Sequence, residues 1–323
     1  MGEFELIERY FANRCRDDAR VTAGIGDDAA LVQVPAGYEL ASTTDTLVAG
    51  VHFPAGTEAR DLGYKALAVN LSDLAAMGAT PAWFLLSLTL EQADPVWLQA
   101  FTDGLFALAH TSDVVLIGGN TTRGPLSITI TALGLVPTGC ALRRNGAMVA
   151  DEIYVTGWLG EAALGLAHWQ HRLDLPEDYV VPALDRLLRP EPRVAVGQAL
   201  RGIASAAIDI SDGLVADLGH LLEASRVGAR VRLDRLPLSP AYDSGFAVMG
   251  WEAALTHGDD YELCFTVSPA NRRALHQIIP RLPCGVSLIG VIEVEAGLRL
   301  VAPGGGGYVV SGGGGHDHFR PLS

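Results

Sequence analysis

Apolar residues recur at helical spacing from Phe4 to Asn13 (Phe4, Ile7, Tyr10, Phe11), which predicts an amphipathic helix at the start of the chain. Tyr38–Thr44 then reads as a strand running into a Ser-Thr-Thr-Asp corner. Asp61–Met77, rich in Ala and Leu, reads as a helix stopped by Gly78 and Pro81. Trp83–Leu90 is an apolar strand. Pro95–His110 is a helix for which Asp94 is a suitable N-cap. Val114–Ile117 predicts a short buried strand ending in Gly118-Gly119, and Leu126–Val136 has the β-branched alternation of a long strand.

The pattern breaks at Pro137–Ala150 and then restarts. Glu152–Thr156 predicts a strand and Gly160–His168 a helix. Pro182–Arg189 and Val194–Arg201 read as helices separated by Pro190 and Pro192. Ala206–Ile210 is a strand into an Asp-Ile-Ser-Asp corner, from which a helix leaves over Gly213–Arg226. Strands at Tyr261–Val267, Val286–Val291 and Leu298–Val301 follow, with a helix at Asn271–Ile279. Gly304–Gly315 reads as a glycine-rich surface loop or poor strand. Helices and strands mix in both halves, so the expected class is α/β in the broad sense, or α+β, rather than a bundle or a sandwich. The 323 residues exceed one ordinary core, and the break divides them into domains at 1–137 and 138–323.

Composition changes this picture little. Hydrophobic residues make up 49% of the chain, enough for packed cores. No apolar run is long enough to span a bilayer, and the first residues lack the basic-then-apolar pattern of a secretory leader. Met1-Gly2 is not followed by the hydroxyl residue that a myristoylation signal needs. The four cysteines are widely spaced with no CxxC pair, the usage of a reduced, cytoplasmic protein. A formal charge of −14 argues against nucleic-acid and anionic-membrane partners. It leaves a phosphorylated substrate open, because bound cations invert the local sign. Lys65 is the only lysine, and its reading is structural.

The candidate chemistry lies in short acids beside Gly, Ser or Thr: Gly26-Asp27-Asp28, Ser42-Thr43-Thr44-Asp45, Ser72-Asp73, Asp209-Ile210-Ser211-Asp212-Gly213 and Gly258-Asp259-Asp260. Asp competes for backbone hydrogen bonds and so favours caps, turns and ligand loops. If several such carboxylates converge, a hard cation such as Mg²⁺ relieves their repulsion and bridges them to phosphates. Each segment alone also reads as a turn or cap; Asp212 could equally be a plain N-cap, and His52 an ordinary hydrogen-bonded histidine. Gly24-Ile25-Gly26-Asp27-Asp28-Ala29 imitates a dinucleotide fingerprint, but two acids in the loop would repel a pyrophosphate. Gly118-Gly119-Asn120-Thr121-Thr122-Arg123 reads as a loop whose glycines allow close approach of a ligand. No GxxxxGK[ST] loop exists.

Six segments, taken together and in order, resemble the thiamine-monophosphate kinase family of the aminoimidazole-ribonucleotide-synthetase-like (PurM-like) ATP enzymes. They are GIGDDAAL at 24–31, STTDTLVAGVHF at 42–53, YKALAVNLSDLAAMGATPAW at 64–83, LIGGNTTRGPLS at 116–127, AIDISDGLVADLGH at 207–220 and GDDYELCF at 258–265. The resemblance implies a two-domain PurM-like fold. Its N-terminal domain would pair through its sheet in a homodimer, and its C-terminal α/β domain would close the nucleotide cleft. It implies transfer of the ATP γ-phosphoryl group to thiamine monophosphate, giving thiamine diphosphate, with several Mg²⁺ ions and a monovalent cation such as K⁺.

By the same resemblance, Asp28, Thr43, Thr44, Asp45, Asp73, Asn120, Asp209 and Asp212 are metal-site residues. Gly119, Arg144 and Ser211 contact ATP, and His52, Asp259 and His316 contact the thiamine substrate; no side chain acts as a nucleophile. Three positions depart from the family pattern: Asn120 stands where Asp is usual, Asp259 where Glu is usual, and His316 where Tyr or Trp is usual. Two rival readings remain at this stage. One is another enzyme of the superfamily; the other is a binding-competent, weakly active variant limited by Asn120.

Overall fold

The computed structural model describes residues 2–310. The chain divides into two compact units. Unit 1 holds the described residues through Leu74 together with Ala79–Gly139; unit 2 holds Ala75–Gly78 and the described residues from Cys140 onward.

Unit 1 begins with α1 (Glu3–Tyr10), whose helical turn tightens into a 3₁₀ segment at Ala12–Arg14. A short ribbon, β1 (Val21–Ala23) and β2 (Leu31–Val32), flanks the first acidic turn. The main sheet has the order β3-β6-β4-β5, formed by β3 (Tyr38–Val48), β4 (Thr80–Leu90), β5 (Val115–Arg123) and β6 (Ser127–Pro137), with only the β4–β5 pair parallel. Helix α2 (Ala59–Ala76) lies against this sheet and α3 (Pro95–Thr111) against α2. Asp94 caps α3 by accepting the Val96 N–H at 2.9 Å, as its position before Pro95 predicts.

The two helices meet at glycines. A Cβ on Gly63 would lie 2.0 Å from the Phe101 carbonyl oxygen, and one on Gly104 would lie 1.8 Å from that of Arg60. Only hydrogen at both positions lets the backbones touch. On the opposite face of the sheet, the ribbon covers one end through Val21, Ala30 and Val32, packed on Trp83, Val115, Ile117 and Leu135.

Unit 2 is built on a seven-stranded sheet of order β13-β12-β9-β11-β7-β10-β8. In chain order its strands are β7 (Glu152–Thr156), β8 (Ala204–Asp209), β9 (Gly228–Arg232), β10 (Leu263–Val267), β11 (Val286–Glu293), β12 (Gly297–Val301) and β13 (Gly307–Tyr308). Its helices are α4 (Glu161–Trp169), α5 (Glu177–Leu188), α6 (Val194–Ala199), α7 (Leu214–Ser225), α8 (Pro240–Thr256) and α9 (Arg272–Ile278). Both faces of the sheet are buried. Ile153, Val155 and Ile208 join one apolar cluster with α4, α7 and α8, while Tyr154, Ala207 and Phe265 join another with α6 and α9. This explains why the central strands read as unbroken apolar runs.

The structure departs from the sequence reading in several places. Ser42-Thr43-Thr44-Asp45 is the middle of β3 and not a corner after it. Gly118–Arg123 continues β5 and is not a loop. Pairing along the whole length of β3 and β4 holds both segments extended although their residues favour turns. Helix α8 and strand β9 were not anticipated; Gly250, at φ +58, breaks the helical period inside α8 and hides it. Helix α5 starts five residues earlier than Pro182, the residue taken as its start.

Candidate functional site

In unit 1 the candidate residues come from the middle of β3 and the last turns of α2. Side chains alternate across a strand, and the burial of β3 follows that period. Thr43 and Asp45 face α2: the Thr43 hydroxyl donates to Asp73 Oδ2, and the Asp45 N–H is accepted at 3.1 Å by the buried side chain of Asn70. Asn70 is itself fixed, since its Nδ2 donates to the Ala66 carbonyl at 3.0 Å. These contacts join Thr43 to Asp73 and tie the main chain of Asp45 to α2 through Asn70.

Thr44 points the other way. Its hydroxyl donates to the Ile130 carbonyl at 3.1 Å and pairs with the Thr131 hydroxyl at 3.0 Å; Thr46 and Thr129 pair likewise at 2.9 Å. The register sets Asn120 opposite Ser87, Ser87 opposite Thr129, and Thr129 opposite Thr46. Asn120 therefore belongs to the hydroxyl-lined face with Thr44, while Asp45 shares its row with Ile130, Leu86 and Gly119. Within unit 1, the sheet residues Thr43 and Asp45 therefore lie on one face, and Thr44 and Asn120 on the other.

The remaining unit 1 candidates lie in turns beside the strands. Asp28 is exposed in the turn of the ribbon, its N–H bonded to Asp27 Oδ1 at 2.8 Å. His52 lies in the turn after β3, where its Nδ1 accepts the Val48 N–H at 3.0 Å. That bond fixes the neutral ring's proton on Nε2.

In unit 2 the candidates gather at one edge of the sheet. Asp209 ends β8 and is buried; Ser211 and Asp212 follow in the corner that leads into α7. The loop before β10 runs beside this corner. Its Asp259 N–H donates to the Ser211 carbonyl at 2.9 Å, its Tyr261 N–H to the Ile210 carbonyl at 2.8 Å, and the Ile210 N–H returns to the Glu262 carbonyl at 2.8 Å. Asp259 and Tyr261 both hold positive φ, +70° and +49°, and the Tyr261 hydroxyl donates to Asp259 Oδ1 at 3.0 Å. The backbone of Arg144 is tied to α7 through the Ser225 hydroxyl at 2.7 Å. Its guanidinium lies near enough to favour the ionised form of Asp217.

Three buried acids support this edge: Asp260 belongs to the candidate Gly258-Asp259-Asp260 segment and Glu262 to the same GDDYELCF stretch, whereas Asp217 carries no signal of its own in the sequence. Asp217 in α7 accepts the N–H groups of Ser211 and Asp212, both at 3.0 Å, and burial pushes its carboxyl up to about 7. Asp260 accepts the Gly160 N–H at 2.7 Å at the start of α4, and burial holds it well above the usual carboxylate range. Glu262 is 2% exposed and takes a two-pronged bond from the equally buried Arg193, with Nε at 2.6 Å and Nη2 at 2.5 Å. It also accepts the Thr156 hydroxyl at 2.6 Å. His316 lies outside the described residues.

Among the described residues, no three His, Cys, Asp or Glu side chains come together as a ready metal cage. The donors are carboxylate, hydroxyl and amide oxygens, arranged singly or in pairs. That set suits Mg²⁺, which keeps water and phosphate ligands and needs only one or two carboxylates from the protein. It does not suit a soft metal, since no cysteine joins it. The N–H groups at the start of α7 and the acids beside them could together receive a phosphate and its counter-ions.

Two family descriptions match the chain: the N-terminal domain of AIR synthase related protein over residues 26–136, and the C-terminal domain of AIR synthase related protein over residues 149–302. The thiamine-monophosphate kinase of Salmonella typhimurium (strain LT2) is 53% identical over 309 residues, 94% of each chain. The crystal structure of thiamine-monophosphate kinase from Stenotrophomonas maltophilia K279a superposes with a TM-score of 0.84 at 49% identity, covering 93% of this chain and 96% of that one. AaThiL complexed with AMPPCP and TMP matches with a TM-score of 0.75 at 32% identity, covering 85% and 87%.

Proposed function

This chain belongs to the thiamine-monophosphate kinase family and has its two-domain PurM-like fold, and we propose that it makes thiamine diphosphate by direct in-line transfer between ATP and thiamine monophosphate. It is an enzyme, a phosphotransferase whose acceptor is itself a phosphate. The observation that carries the mechanistic reading is the Asp209–Gly213 corner, where two acids and a serine stand at the start of α7 with the corner's N–H groups held by Asp217.

An oxygen of the acceptor phosphate attacks the γ-phosphorus. The new P–O bond forms as the bond to the β-phosphate oxygen breaks, and ADP leaves. The acceptor oxygen is already anionic at neutral pH, so no general base is needed and no phosphoenzyme forms. The difficulty is the approach of two anions in the right line, which makes positioning and charge compensation the protein's whole task. Ser211 and Arg144 would hold the nucleotide, with Gly119 offering backbone close to it. His52 would donate from Nε2 to the acceptor, and Asp259, aimed by Tyr261, would hold its thiamine portion. Thr43, Asp45 and Asp73 form one donor set for Mg²⁺, Asp209 and Asp212 a second; Asp28, Thr44 (through its carbonyl) and Asn120 would complete others, with K⁺ as a further counter-ion. When bound, Mg²⁺ neutralises the phosphates and aligns them.

The exposed Tyr38, Leu40 and Val48 on the edge strand β3 support a homodimer formed through the sheet of unit 1. No helix among the described residues is long and apolar enough to cross a membrane, and four free thiols accord with a reducing, cytoplasmic setting.

The deciding experiment is a product assay with ATP and either thiamine monophosphate or thiamine, with and without Mg²⁺. Thiamine diphosphate should form from the monophosphate only, and a chelator should abolish it. A trapped phosphoenzyme, or turnover that survives chelation, contradicts the mechanism.

A further inference from the structure

We infer that Asp217 is a positioning residue for the metal-bearing corner: one carboxylate oxygen holds the N–H groups of Ser211 and Asp212 and thereby aims the Asp212 carboxylate and the Ser211 hydroxyl. The inference rests on the functional reading above for what the corner binds. The geometry itself is independent of that reading.

The corner needs such a support. After Asp209 the chain has left β8, and regular helix begins only at Leu214. In that interval the Ile210 N–H is taken by the Glu262 carbonyl, while those of Ser211 and Asp212 are taken by a side chain. The N-cap is Gly213, at φ +110, which has no side chain to hold the start of α7. Gly213 has no alternative, since a Cβ there would lie 2.7 Å from the Thr256 carbonyl carbon. Asp217, one turn inside α7 and 3% exposed, reaches back past Gly213 and accepts the N–H groups of the two residues before it. A carboxylate is well placed there, because the start of a helix favours negative charge.

The corner is held from its other side as well. The Ser211 N–H goes to Asp217 at 3.0 Å, while the Ser211 carbonyl accepts the Asp259 N–H at 2.9 Å. The peptide groups on both sides of Ser211 are therefore fixed, and with them the directions of the side chains on either side. Asp217 is 3% exposed and its oxygen is bonded to main chain, so it acts through Asp212 and Ser211.

Two variants separate geometry from charge. D217N keeps an acceptor oxygen in place and removes the charge; D217E keeps the charge and shifts the acceptor by one methylene. We expect Mg²⁺ affinity, measured by calorimetry in the presence of a non-hydrolysable ATP analogue, to fall about tenfold or more in D217E, the scale of losses seen when an outer support of a metal ligand is removed. D217N should stay within about threefold of the unmodified protein on the same scale. Amide exchange in a peptide covering 207–214 should accelerate in D217E and not in D217N. The KM for thiamine monophosphate should be unchanged in both.

D217A should behave as D217E does. If D217A and D217E fail to fold, D217N decides alone, because the inference requires it to bind Mg²⁺ and to protect 207–214 normally. Unaltered Mg²⁺ binding in a folded D217E, or a loss in D217N, overturns the inference. If the unmodified protein makes no thiamine diphosphate, the kinase reading fails separately, and the Mg²⁺ and exchange measurements still judge Asp217.

Discussion

Thr43 and Thr44 are neighbours in the chain and stand on opposite faces of one sheet: the Thr43 hydroxyl donates to Asp73 on α2, and the Thr44 hydroxyl pairs with Thr131 on β6. Strand pleating allows only one of them to place its hydroxyl beside Asp73. T43V should therefore raise the Mg²⁺ concentration needed for half-maximal turnover by about tenfold, as loss of a ligand or its hydrogen-bonded partner does. T44V keeps the main-chain carbonyl and should change it little. A Mg²⁺ titration of initial rates measures both, and equal effects from the two variants would show that the sheet face does not matter.

Asn120 shares its row with Ser87, Thr129 and Thr46 and not with Asp45, so it stands on the other face of the sheet from Thr43. An amide offers a carbonyl oxygen without charge, and a carboxylate binds Mg²⁺ more tightly. N120D should lower the half-saturating Mg²⁺ concentration and leave the melting temperature unchanged, because the position is exposed. The combination T43V/N120D should show independent effects that multiply, which a double-mutant cycle tests directly.

The Arg193–Glu262 pair lies behind the Asp259 loop with both partners 2% exposed. Removing Arg193 leaves buried Glu262 only the more distant Arg186, at 3.9 Å, and loss of a buried partner costs about 3–5 kcal/mol. R193M should lower unfolding free energy by that order in a denaturant titration. A drop below about 1 kcal/mol, the value of an exposed pair, would mean that water reaches Glu262.

Helices α2 and α3 touch backbone to backbone at Gly104, where a Cβ would meet the Arg60 carbonyl oxygen at 1.8 Å. The obstacle is main chain and cannot rotate away. G104A should destabilise unit 1 by about 2 kcal/mol or more through overpacking, although alanine is the better helix former. Thermal unfolding reads this; an unchanged or raised melting temperature would contradict the close approach.

Asp18 joins Arg20 and Trp83. Arg20 donates to both its oxygens, at 2.9 and 2.6 Å, the Trp83 indole N–H donates at 3.1 Å, and Arg20 stacks 5.0 Å from the Trp83 ring centroid. The hydrogen bonds from Arg20 hold the Asp18 carboxyl down at about 2. Its unfolded value is about 3.9. The folded acid thus binds its proton less readily than the unfolded one, so its contribution is complete above pH of about 4 and fades as pH falls from about 4 to about 2. D18N should be less stable than the unmodified protein at pH 7, and the difference should shrink through that acid window. A difference independent of pH would mean that the carboxylate charge contributes nothing.

Much of the site was legible because its residue types are constrained by chemistry. The acids of Ser42–Asp45, Ser72-Asp73, Asp209–Gly213 and Gly258–Asp260 stand out against apolar neighbours, and their joint order carries the family resemblance. Asn70, Asp217 and Arg193 carry no such signal, because each looks like an ordinary polar residue until its partner is known. Those partners lie 25 residues away for Asn70 and 69 for the ion pair. The Asp217 contacts span only five and six residues, yet the corner's positive-φ glycine had to be seen before the missing cap was evident.

The sequence by itself determined the mixed α/β class, most strands and helices, the cap at Asp94 and the oxygen-rich, cysteine-free character of the donors. Periodicity, capping and ligand chemistry are local properties, readable one segment at a time. Only the tertiary structure decided that Ser42–Asp45 and Gly118–Arg123 are strand interiors, and hence which side chains share a face. Register depends on pairing with β6 and β4, partners far away in the chain, and a shift of one residue would have turned every side chain to the other side.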